Sequence, residues 1–102
     1  MQNKLILEAI ALQKPVRATY NKVPVSLAPH ILYTRHGELY VDAVTIDRDG
    51  RPPRETKIGT FKVAGLKDMI LVERRFEPEP TFDPSDAKYE GVTLFAVEPA
   101  AA

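Results

Sequence analysis

The sequence predicts a small, mainly β domain: a barrel or sandwich of about five short antiparallel strands, led by one N-terminal helix. Three observations predict it. Apolar residues recur at helical spacing only at the start of the chain. From Val16 onward the apolar period is two. Turn-forming Asn, Asp, Gly and Pro residues then interrupt the alternation at roughly 10–15-residue intervals. At 102 residues the chain is one domain, with a tail at most.

Within residues 3–13, Leu5, Ile6, Ala9, Ile10 and Leu12 form an apolar stripe on one helical face. Asn3 is the expected N-cap. Pro15 forces Lys14 out of the α region and ends the helix. So short a helix needs a sheet beneath it. Val16, Ala18 and Tyr20 then share one face of a strand, with Arg17 and Thr19 on the other. Asn21-Lys22 is expected to make a tight hairpin turn, because Asn tolerates positive φ. Val23, Val25 and Leu27 continue the alternation. Pro24 suggests an edge position and Pro29 a bend or bulge, since neither carries a ladder N–H. Ile31 and Tyr33 lead into the turn Arg35-His36-Gly37-Glu38, and Leu39, Val41, Ala43 and Val44 form the strongest strand.

A second turn is expected at Asp47-Arg48-Asp49-Gly50. A short strand over 54–58 should follow the Pro52-Pro53 pair, then a helical turn within 61–68 and a strand over 69–72. These complete a body spanning 1–75. Residues 76–102 read as a Pro-rich acidic tail. Three prolines and four acids within 76–87 exclude a regular element there. Residues 91–97 are apolar enough for an extra strand, returning to the sheet edge or pairing with another molecule. The final Glu98-Pro99-Ala100-Ala101-Ala102 is expected to be disordered.

With 44% hydrophobic residues the core is small. The absence of cysteine excludes a disulfide framework, cysteine-based zinc sites and thiol catalysis, and fits a reducing compartment. Glu8 interrupts the first apolar segment, and no run approaches the roughly 20 residues of a membrane span. The expectation is a soluble, cytoplasmic protein that does not engage a membrane. Net charge is zero but uneven: residues 14–75 carry 12 Lys/Arg against 7 Asp/Glu, and residues 76–102 one lysine against six acids. That asymmetry fits an anionic ligand for the body and a tail that covers the same surface, or two separately solvated segments.

Catalytic patterns are missing. His30 and His36 lack a metal-ligand spacing. Ser26 and Ser85 lack a nucleophile elbow, and no Gly-rich phosphate loop occurs. No enzyme activity, cofactor or metal is expected. His36 reads as a plain turn residue. His30 follows the bend at Pro29, where its ring serves either a ligand or a structural hydrogen bond.

Arg51, Arg54 and Lys57 recur every three residues beside the proline pair. Guanidinium groups offer planar, bidentate donors suited to phosphates. Tyr40, on the preceding strand, is the natural aromatic partner for stacking on a base. The alternative is a solvated arm with Asp47, Asp49 and Glu55 as counter-ions.

In order and spacing, several of these pieces resemble the WYL domain, named for a Trp-Tyr-Leu tripeptide on a central strand. An apolar helix leads to V-R-A-T-Y. L-A-P-H-I-L resembles the family's P-x-x-L segment. G-E-L-Y-V stands at the tripeptide, with Leu39-Tyr40-Val41 in its place. R-P-P-R-E-T-K-I resembles its R-x-F-R-L-x-R-I segment, with Pro53 in place of an aromatic and Lys57 in place of an arginine. The resemblance covers about residues 5–70. It implies a five-stranded SH3-like or Sm-like barrel acting as a ligand-sensing module of bacterial transcriptional regulation. Such a module binds nucleic acid or a nucleotide-like effector through a basic, aromatic-lined patch. By position, Tyr40, Arg51, Arg54 and Lys57 would line that patch, with His30 a further candidate. Only about a dozen residues precede the first strand, so the likeness is to the sensory module without its usual winged helix. The partners implied are a single-stranded nucleic acid or nucleotide and a separate regulatory protein. A protein-interaction or homo-oligomerisation module using the sheet edge and the 91–97 strand is the alternative.

Overall fold

The computed structural model describes residues 2–99, except for the side chain of Gln2. It is mainly β: helix α1 (Gln2–Leu12) and a six-stranded antiparallel sheet. The strands are β1 (Val16–Tyr20), β2 (Val23–Arg35), β3 (Glu38–Arg48), β4 (Ile58–Lys62), β5 (Leu66–Leu71) and β6 (Thr93–Ala96). No helix among the described residues is long and apolar enough to cross a membrane.

The helix begins at Gln2, so Asn3 lies inside it and does not cap it; its Oδ1 accepts from the neighbouring Lys4 N–H, at 3.1 Å. Its C-terminus closes as a Schellman motif. Gln13 takes a left-handed φ of 54°, Gln13 N–H donates to Ile10 O, and Lys14 N–H donates to Ala9 O. Pro15 then points the chain into β1. Ile6, Ala9 and Ile10 are buried beneath the helix.

Three tight turns follow from local chemistry. Asn21-Lys22, His36-Gly37 and Asp49-Gly50 all have positive φ at both central residues, the type I′ pattern whose twist matches the flanking strands. The third is shifted by one residue from expectation: Arg48 and Arg51 exchange both backbone bonds. Prolines 52 and 53 cannot continue that ladder. The expected strand over 54–58 is therefore absent, and pairing with β3 resumes only at Ile58↔Val44.

β2 organises the sheet. It pairs with β3 from Val25 to Arg35, with β1 through Val23–Leu27 and with β6 through Ile31–Tyr33. Pro29 does not break it. Pro29 pairs with Ala43 and Ile31 with Asp42, so His30 is the extra residue of a bulge. Pro24 is exposed beyond the last β2–β3 pair, Val25↔Arg48, where a missing N–H leaves no ladder bond unmade.

The strand order is β4-β3-β2-β1-β5, with β6 attached to β2. Its outermost strands, β4 and β5, are joined by only a 3-10 turn at Val63–Gly65. The expected helical turn is thus this short corner, and the strand after it starts at Leu66. Such a link draws the two edges together and curls the sheet. Tyr20 of β1 accordingly meets Phe61 of β4 edge-on at 5.2 Å. A Cβ on Gly65 would lie 2.9 Å from the Tyr20 ring, so any larger residue at the corner would have to displace that ring. No β4–β5 ladder closes the sheet among the described residues.

Residues 76–97 lie across the sheet as a strap. They hold a 3-10 turn (Ala87–Tyr89) and β6, and they bury Pro78, Phe82, Tyr89 and Val97. Asp83 accepts from the Ser85 N–H and hydroxyl, and Asp86 accepts from the Lys88 N–H. Side-chain turns of this kind shape a segment that its prolines bar from regular structure. Of the two roles expected for residues 91–97, the return to the sheet is the one adopted; residues 100–102 lie outside the described residues.

Candidate functional site

The loop of residues 49–57 carries the expected cations. Arg51, Arg54 and Lys57 are all exposed. Arg48, overlooked in the sequence, joins them, because the turn sets it directly opposite Arg51. Like charges facing across a ladder repel. Lys57 lies 3.6 Å from the Glu55 carboxylate, both side chains well exposed, and such a pair contributes little. Among the described residues the guanidinium groups of Arg48, Arg51 and Arg54 enter no ion pair or side-chain hydrogen bond. The shared signal was the turn itself: two residues flanking a type I′ pair always face each other.

The other two candidates lie elsewhere. Tyr40 pairs with Lys62 at one end of the β3–β4 ladder, while the loop leaves from the other end, at Val44↔Ile58. Four residue steps along β3 separate them, about 13 Å. Tyr40 instead stacks on Tyr33, ring centroids 6.1 Å apart. His30 is fully buried. Its Nε2 accepts the Glu79 backbone N–H at 2.9 Å, and its Nδ1 lies 2.7 Å from the Ala28 carbonyl. That pair of partners selects the neutral tautomer protonated at Nδ1. Burial pushes its pKa below the usual histidine value, against the Ala28 hydrogen bond and the Glu79 charge. Phe76 and Phe82 pack on the ring at 5.1 and 5.2 Å. The five sequence-derived candidates therefore divide into one exposed cationic loop, one stacked tyrosine and one buried strap anchor.

A second constellation gathers around Asp42. Asp42, in the middle of β3, is fully buried. Its Oδ1 accepts from Tyr33 Oη at 2.7 Å and Thr60 Oγ1 at 2.8 Å. Its Oδ2 accepts from Tyr89 Oη at 2.5 Å and Lys88 Nζ at 3.0 Å. Burial pushes the carboxyl pKa up, but the four donors outweigh it and hold the group below the ordinary aspartate value. The same network raises both phenols, burial first and the Asp42 hydrogen bond second. The clue in the sequence was a carboxylate in the most apolar strand. Period-two reading sets it on the face opposite Val41 and Ala43, which solvent would normally cover.

A cleft of about 430 Å³ opens between the N-terminal end of α1, the His36-Gly37 turn and the Val63–Gly65 corner. The Lys62–Glu38 ion pair, 3.0 Å apart, borders it. Every buried side-chain polar atom among the described residues has a partner, and no three His, Asp or Glu side chains converge there as a metal site. Comparison with protein-family models, with curated proteins and with solved structures returned no match.

Proposed function

We propose that the chain is a non-enzymatic binding module of WYL type, whose 49–57 loop and Arg48 engage the phosphates of a single-stranded nucleic acid or nucleotide. The observation that carries this reading is the opposed Arg48–Arg51 pair with Arg54 beside it, three exposed guanidinium groups without ion-pair or side-chain partners among the described residues. An anion seated between them relieves their repulsion and accepts bidentate hydrogen bonds. The strand order and the 3-10 corner joining its two ends support an SH3-like or Sm-like barrel as the frame. With Tyr40 remote, the loop contacts backbone phosphate rather than bases, so binding is independent of base sequence. Against a catalytic role, the exposed histidine sits in a turn and the buried one has both nitrogens committed.

Fluorescence anisotropy with short single-stranded DNA and RNA, at low and moderate salt, tests the reading. Three phosphate contacts on a single strand give log K falling against log salt with a slope of about −2. Arg51→Ala and Arg54→Ala should each weaken binding and flatten that slope. Salt-independent binding, or binding untouched by both substitutions, rejects the reading.

One observation favours a second reading, a protein-interaction module. Among the described residues the outer edge of β6 pairs with no strand, and Leu94 and Phe95 on β6 are 54% and 38% exposed. An open edge with apolar side chains is a template for strand addition by a partner or a second copy. A Leu94→Lys variant with unchanged oligomeric state and unchanged partner binding would count against it.

A further inference from the structure

We infer that residues 76–97 are a peptide bound in cis, and that the groove beneath them is a receptor for the same segment of a second copy. The inference is independent of the cationic loop, with which the strap shares no hydrogen bond or ion pair among the described residues.

The hydrogen bonds of Asp42 divide along the line between receptor and ligand. Oδ1 is held by Tyr33 and Thr60, both from the sheet. Among the described residues Oδ2 accepts from Lys88 and Tyr89 alone, both from the strap. The sheet alone thus presents an oriented carboxylate with one oxygen aimed at an incoming ammonium and phenol. His30 repeats the division. Its Nδ1 is anchored on its own strand at Ala28, and its Nε2 faces the strap and takes the Glu79 N–H. Three of the strap's four aromatic residues, Phe76, Phe82 and Tyr89, pack on two residues of β2. Phe76 and Phe82 meet His30, and Tyr89 meets Tyr33 edge-on at 5.3 Å. β6 then adds to β2 by strand pairing, with the Val97 N–H donating to the His30 carbonyl at 2.7 Å.

These are the parts of a peptide-recognition mode: main-chain pairing for affinity and side-chain pockets for selection. The ligand pattern is an aromatic at the position of Phe82, a Lys-Tyr pair six residues later, and an apolar extended segment after it. Tethering puts the strap at an effective concentration of order millimolar, so a peptide in trans competes only when the cis contact is weakened.

The experiment uses full-length chains and a fluorescent peptide spanning residues 76–99. The Tyr89→Ala chain, its own strap loosened, should bind the peptide saturably and at least tenfold more tightly than the wild-type chain. Adding Asp42→Asn should abolish that binding, and a peptide carrying Lys88→Ala and Tyr89→Phe should bind at least tenfold more weakly. Absence of binding to a Tyr89→Ala chain that keeps its sheet signal overturns the inference, as does equal binding to the Asp42→Asn chain. Should Tyr89→Ala fail to fold, hydrogen exchange on the wild-type chain decides. Amides of 79, 92 and 97 opening together, well before those of Leu27 and Val41, support a separable strap. Opening of strap and sheet only in one global step overturns it.

Discussion

A buried carboxylate stabilises a fold only when its donors outweigh its desolvation, and Asp42 shows how far one residue carries that balance. Replacing it with Asn removes the charge while the Lys88, Tyr33, Tyr89 and Thr60 donors stay aimed at it. The expected cost is about 3 kcal/mol, within the range for breaking a buried charged network. For a chain of this size that lowers the melting midpoint by roughly 15 °C. Tyr89→Phe and Tyr33→Phe each delete one charge-assisted bond and should cost about 1.5–2 kcal/mol. Lys88→Met should cost under about 1 kcal/mol, because the lysine is half-exposed and solvent already screens it. Thermal denaturation of the four variants checks the order, and a Lys88 variant as costly as Asp42→Asn would contradict it. The sign in pH follows from the depressed carboxyl pKa. The contribution is full above the unfolded aspartate value near 3.8 and is lost as pH falls below that value through the folded one. A simpler residue-scale test lies at Lys22, a non-glycine residue at φ 66° in a type I′ turn. Lys22→Gly should stabilise by about 0.5–1 kcal/mol, the relief of left-handed strain less the entropy of glycine. Urea unfolding measures it as a higher midpoint at unchanged slope.

Among the elements, the strap is the one with a built-in pH dependence. His30 holds the Glu79 N–H only while Nε2 keeps its lone pair. Protonating it turns the acceptor into a donor facing a donor. Of the charged groups on the strap, Glu79 favours the charged ring, whereas Phe76 and Phe82 offer it nothing polar and β6 meets only its backbone carbonyl. Its folded pKa lies below the free value of 6.5, so closure of the strap is at full strength above pH 6.5 and weakens as pH falls toward the folded value. Amide exchange in residues 76–97, corrected for intrinsic pH dependence, should rise between pH 6.5 and 5 while that of Leu27 and Val41 does not. Strap protection unchanged over that window would show that His30 does not govern closure. This element was also the least legible in sequence. The type I′ turns at Asn21, His36 and Asp49 and the helix stop at Pro15 are local chemistry, visible in a few residues. The strap is not, because its order comes from partners such as His30 and Asp42, 49 and 46 residues away in sequence. Composition read its prolines and acids correctly as incompatible with regular structure, but that is a different property from disorder. The candidate site divides the same way. The exposure of Arg51, Arg54 and Lys57 follows from the proline pair, whereas the separation of Tyr40 depends on the β3–β4 register and the burial of His30 on a distant segment.

For the whole molecule, the curled sheet and the strap together set out the charge. Residues 14–75 carry a net +5, and residues 76–99 carry one lysine against six acids, a net −5. Most of the strap's acids are exposed; its direct ion pair with the sheet, Lys88–Asp42, runs the opposite way, cation on strap and anion on sheet. The acids therefore act through the long-range field rather than through contacts, drawing the strap toward the basic body without neutralising the 49–57 loop. Long-range attraction of this kind is screened over about 10 Å at 0.1 M salt and about 3 Å at 1 M, whereas the buried Asp42 network is screened much less. Raising salt from about 0.02 to 0.5 M should then loosen the strap by well under 1 kcal/mol, roughly a two- to threefold rise in its exchange, and leave the sheet unchanged. In the Tyr89→Ala chain, where contacts no longer dominate, the same salt step should have a larger relative effect. A salt response of equal size in strap and sheet would mean that the two halves of the charge distribution do not act on each other, and that the strap is held by its contacts alone.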